Sequence, residues 1–235
     1  MKTAPRLLSF VALILCWLGY FSPWLWPVPA ALRLSAHDLV EWMTFMQTVR
    51  DGTFPVTRLD LLWPLAGIAA LNVLVTTQII EPQRRKERQE ISKKHLSGLR
   101  TFAVNYWPEL LSVPIALFAA ALILPPYEFI RSAPTDPELA PQFWLGIATG
   151  IAVIPLAAFA IVRPQWARWF TAITALLSLT ASVRVYLIIR PPFADLLAKP
   201  APVGYGFILV VIGFAAFLVL PLVELLRVGS STRSS

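Results

Sequence analysis

Apolar residues along this chain come in blocks of about twenty, separated by short polar or proline-rich runs. Six blocks stand out: Leu7–Trp26, Leu61–Ile80, Phe102–Leu124, Phe143–Val162, Trp169–Ile189 and Gly204–Leu226. At about 1.5 Å per residue, a helix of that length crosses a hydrocarbon core ~30 Å thick. Backbone polar groups in lipid must be paired within their own segment, so each block is predicted to be a helix. The alternating ten-residue segments of a membrane β-barrel are absent. The predicted fold is all-α: a single polytopic membrane domain over residues 1–235, with about six transmembrane helices.

Between the first two blocks the period changes. In "SAHDLVEWMTFMQTVRDG", Leu39, Trp42, Met43, Met46 and Val49 recur at helical spacing. Ser35 suits an N-cap with Asp38 three residues on, and Gly52 suits a C-terminal stop. The segment predicts an amphipathic helix over about 35–51 on the outer surface. It either lies flat on the membrane or over the bundle, or forms a lid and docking surface through Trp42, Met43 and Met46. Before it, "GYFSPWLWPVPAAL" has the small residues of a cleavage site. The apolar block runs on through Tyr20 and Phe21, however, so a rigid elbow is the better reading. Pro23, Pro27 and Pro29 end the helix there, and Trp24 and Trp26 anchor it at the outer interface. The other two outer loops, "PPYEFIRSAPTDPELAPQ" and "RPPFADLLAKPAPV", are proline-rich and predicted to lack long helices. No repeat is evident; Trp-Pro recurs at Trp26, Trp63 and Trp107 in different surroundings.

Composition agrees with the pattern. Hydrophobic residues are 57% of the 235 and charged residues 14%, against about 25% charged in soluble domains. The net charge of +7 would suit nucleic acid, but its distribution argues for topology instead. With the N-terminus inside, thirteen Lys and Arg fall in cytoplasmic segments and six in outer ones, and Arg184 lies within a span. That bias predicts a cell (inner) membrane protein with both termini cytoplasmic and no nucleic-acid partner. Trp63 and Trp144 fall near the outer interface, and Trp166 and Trp169 near the inner one.

Candidate chemistry concentrates in two places. The cytoplasmic run Glu81–Arg100 holds Arg84, Arg85, Lys86, Arg88, Lys93 and Lys94. It reads as a positive-inside determinant touching anionic lipid, or as a coupling element for a cytoplasmic ATPase. Within the spans, "NYWPELLSVP" joins Asn105, Glu109 and Ser112 to Pro108 and Pro114, and Asn72 and Gln78 share the same inner half of the bilayer. Glu109 is either a proton or cation site or a hydrogen-bonded interior residue. Arg184 is predicted to reach outward toward Asp60. Prolines 64, 155 and 221 fall in or beside other spans and can kink them.

Other functions lack their motifs. His37 and His95 fall in loops, so no histidine pair is available for haem in the membrane. There is no phosphate-binding G-x-x-x-x-G-K-[ST], no H-E-x-x-H and no G-x-S-x-G. One cysteine gives no internal disulfide. No catalytic residue, metal or cofactor is expected.

Over Gly19–Glu41, "GYFSPW", then Ala30, Ala31, Leu32 and Leu34, then "DLVE" resemble uncharacterised multi-span bacterial membrane proteins of the kind met in Chloroflexota. The resemblance implies a multi-span helical fold and carries no established activity. The six-span layout is also similar to permease subunits of some ATP-driven exporters, whose second-to-third-span loop touches the ATPase. The leading expectation is therefore a non-enzymatic, transport-type (permease-like) subunit of a larger membrane assembly. A structural or accessory scaffold subunit is the alternative, and an intramembrane enzyme the third.

Overall fold

The computed structural model describes residues 4–26, 33–43, 45–91, 112–196 and 201–231. They are almost wholly helical. The elements run α1 (Ala4–Phe21), β1 (Pro23–Leu25), β2 (Leu34–Ser35), α2 (Ala36–Met43), α3 (Gln47–Arg50) and α4 (Arg58–Ile91). After these come α5 (Ser112–Ile123), α6 (Ala140–Val162), α7 (Pro164–Leu196) and α8 (Tyr205–Ser231). Among the described residues, three helices are long and apolar enough to cross a membrane: Arg58–Thr77 within α4, Ala140–Val162, and Pro164–Asp195 within α7. Shorter apolar stretches lie in α1 (Leu7–Phe21), α5 and α8 (Tyr205–Leu220).

Helix α4 is the hub. It packs on α6 and α7 and touches α1 and α2, while α8 lies between α1 and α7. Leu61, Leu62, Leu65, Ile68, Ala69 and Leu71 are completely buried. By contrast α6 turns Ile151, Ile154 and Val162 outward. Outward apolar side chains are what a bilayer solvates without cost.

Hydrophobicity drives little helix association inside lipid, so close packing through small residues must do it. The α1–α8 crossing has that character. A Cβ on Gly19 would fall 2.5 Å from Val210 N, and one on Gly213 2.6 Å from Cys16 Sγ. The two backbones approach as closely as they do only because these positions lack side chains.

Three expectations about element limits are corrected. The predicted outer helix is broken into α2 and α3. Phe45 N–H bonds to Trp42 O (3.1 Å) and Met46 N–H to Met43 O (3.4 Å), which turns the chain so that Met46 and Val49 return to the core. The run "RPPFADL" is helical: α7 continues through Pro191 and Pro192 to Leu196. The buried Phe193, edge-on to Trp42 at 6.2 Å, holds that last turn on the bundle. Helix α4 does not stop at Ile80 but carries the first half of the basic run as helix as far as Ile91. The second outer loop does lack long helices; residues 125–139 form successive turns.

Candidate functional site

The elbow, the entry to α2 and the entry to α8 are stitched into one roof at one end of the bundle. Pro23 pairs with Ser35 and Leu25 with Leu34, and Leu25 also bridges Val203. Gly204 N–H donates to Trp24 O (2.8 Å), and Arg190 Nε donates to Ala201 O (2.9 Å), which ties in α7. Helix α2 starts in a reciprocal box: Ser35 N–H donates to Asp38 Oδ2 (2.8 Å) and Asp38 N–H to Ser35 Oγ (3.2 Å). A related arrangement opens α4, where Thr57 N–H donates to Asp60 Oδ2 (2.8 Å) and Asp60 N–H to Thr57 O (3.1 Å). Asp60 Oδ1 accepts from Arg184 (2.9 Å), which also donates to Pro55 O. The expected pairing of Arg184 with Asp60 is therefore observed. Arg58 pairs with Glu138 at 3.2 Å and fastens the second outer loop to the head of α4.

The three lid residues meet the bundle. Met43 is completely buried, and Trp42 and Met46 are partly buried against the same core. Leu39 and Val40 of α2 are buried with them. The apolar stripe faces inward, and Phe45, in the turn after α2, is 75% exposed.

Trp24 corrects a sequence expectation. It is not an interfacial anchor but completely buried, and its indole Nε1 donates to Gly19 O at 3.0 Å. Gly19 lies in the last turn of α1, where carbonyls lack intrahelical partners, so the indole caps the helix from inside. Its ring lies edge-on to Phe207 (5.5 Å), which stacks on Tyr186 at 3.9 Å. This aromatic core beneath the roof was not predicted. Its only signal in the sequence was the density of aromatic residues around Pro23. Trp63, Trp144, Trp166 and Trp169 are each more than half exposed, as anchors should be.

Of the expected intramembrane polar site, Asn72 and Ser112 are described and both are buried. Asn72 Nδ2 donates to Ile68 O (2.8 Å), and its Oδ1 accepts from Trp17 Nε1 at 3.4 Å, a long bond. Neighbouring hydroxyls turn onto their own helix: Thr76 to Asn72 O, Thr77 to Val73 O, Thr171 to Ala167 O and Ser182 to Ser178 O. Such bonding back to the preceding turn occupies the hydroxyl proton. Asn105, Glu109, Lys93 and Lys94 lie outside the described residues. Gln78, Arg84, Arg85, Lys86 and Arg88 sit on α4, with side chains likewise outside them. Among the described residues, no three His, Cys, Asp or Glu side chains are grouped to hold a metal ion.

Comparison with protein-family models, curated proteins and solved structures finds no match to this chain.

Proposed function

We propose that this chain is a non-enzymatic subunit of a larger membrane assembly, inserted in the cell (inner) membrane by six spans with both termini cytoplasmic. It acts by packing against partner subunits. One observation carries this choice over a solute-conducting role: Leu61, Leu62, Leu65, Ile68, Ala69 and Leu71 of α4, the hub, are completely buried against its neighbours, and α2 packs on the same helix. A polar solute travelling along α4 would have to part those contacts. The small-residue α1–α8 crossing adds stiffness rather than a hinge.

The transport-type, permease-like reading keeps one specific support. Helix α4 is 34 residues long, or roughly 51 Å at the α-helical rise, and outruns a hydrocarbon core ~30 Å thick. Its extension carries Arg84, Arg85, Lys86 and Arg88 as a basic stalk suited to an acidic face of a cytoplasmic ATPase or to anionic lipid.

Purification in mild detergent separates the readings. A packing subunit brings down membrane partners at fixed stoichiometry, and they remain after charge reversal at Arg84, Arg85, Lys86 and Arg88. A coupling subunit loses a cytoplasmic ATPase on that reversal. A lone chain of 26.1 kDa in native lipid discs would contradict both.

A further inference from the structure

We infer that the second outer loop is a membrane-contacting finger, whose partner is the headgroup and upper acyl layer of the outer leaflet. The loop presents Tyr127, Phe129 and Ile130 outward, 81%, 50% and 36% exposed. They sit on a fixed base. Phe129 N–H donates to Pro126 O (2.9 Å) and Ala133 N–H to Phe129 O (2.8 Å), and Ala133 is completely buried. The Arg58–Glu138 pair holds the far side of the loop.

Their depth follows from two contacts. Gln142 Nε2 donates to Ile123 O at 2.9 Å, so the end of α5 is level with the first turn of α6. Trp144, 56% exposed, is only two residues further, about 3 Å along the axis. Tyr127 lies four residues beyond Ile123, within ~14 Å even if fully extended, and the turns shorten that reach. The finger therefore begins near the Trp144 level and reaches at most ~14 Å from Ile123, a span that overlaps a headgroup layer roughly 5–8 Å deep on each side. Tyr127, an aromatic ring with a polar edge, favours this zone, and the nearby Arg131 is exposed to meet lipid phosphate. Phe118 of α5, 59% exposed and stacked on Trp17 at 6.4 Å, is an exposed apolar side chain on the helix that leads into the loop. The inference requires membrane insertion of the helices but not the assembly role.

The full chain in phosphatidylcholine vesicles, with no other protein, tests this. A nitroxide is placed on Tyr127→Cys or Phe129→Cys; Cys16 is buried and does not compete for the label. Collision with dissolved oxygen is compared with collision with a water-soluble nickel chelate. Phe118→Cys serves as lipid reference and the exposed Thr53→Cys as water reference. The expected oxygen-to-nickel ratio at 127 and 129 is several-fold above that at 53 and approaches that at 118. Equal ratios at 127, 129 and 53, with 118 still lipid-like, would overturn the finger while leaving membrane insertion intact. That result would hand the loop to a protein partner instead.

Discussion

Replacing Trp24 distinguishes a buried cap from an interfacial anchor. Trp24→Phe keeps most of the ring volume but removes the indole N–H from Gly19 O, 3.0 Å away. That carbonyl sits in a dry setting between α1 and α8, where an unsatisfied group costs about 1–3 kcal/mol. Trp24→Ala also leaves a cavity at a site with no solvent exposure, between Tyr20 and Phe207. The expected cost there is about 3–5 kcal/mol. An anchor at the headgroup level would tolerate Phe within about 0.5 kcal/mol, like other surface changes. Reversible unfolding by titration with a denaturing detergent, followed by far-ultraviolet circular dichroism, measures both variants. If Trp24→Phe matches the wild type and Trp24→Ala costs no more than about 1 kcal/mol, the buried-cap reasoning is refuted.

Three further variants probe other contacts with the same titration. Gly213→Leu forces a side chain against Cys16 and the α1 backbone and should cost at least about 1–3 kcal/mol; an unchanged midpoint would mean that the helices are not in close contact. Asp60→Ala removes both the bond to Thr57 at the start of α4 and the partly buried partner of Arg184, with an expected loss of about 0.5–2 kcal/mol from the cap, and Asp60→Asn should lose less. Equal losses would assign the effect to charge rather than capping. Tyr186→Phe keeps the stack on Phe207 and removes a buried hydroxyl with no partner among the described residues, so stability should hold or rise. A loss above about 1 kcal/mol would reveal a bond to a group outside the description.

Local chemistry was the legible part of this chain. The Ser35–Asp38 box needs only two residues at the right spacing, and the pattern showed it. Arg184 reaching Asp60 followed from the cost of leaving a guanidinium in lipid. What depended on tertiary contact was not legible. Pro191 and Pro192 predict a helix break, yet the burial of Phe193 keeps the turn intact. The stripe of residues 35–51 was read correctly as apolar, but the chain turns at Phe45 instead of continuing as one helix, with Met46 and Val49 still packed on the core. Trp24 has the neighbours of an interfacial residue and the environment of a core one; only the return of α8 beside α1 decides between them. The polar-site expectation rested on residue type alone, and Asn72 is occupied by Trp17 and its own helix.

The roofed bundle meets its sharpest test in labelling of intact cells with a membrane-impermeant maleimide. Met43→Cys is completely buried under the roof, and Phe45→Cys, two residues away, is 75% exposed. The native Cys16 is buried and gives a low background. Phe45→Cys should label from outside without lysis, and Met43→Cys should label only after denaturation. Equal labelling of the two in intact cells would show that α2 opens as a lid, and labelling of neither until lysis would place the roof in the cytoplasm.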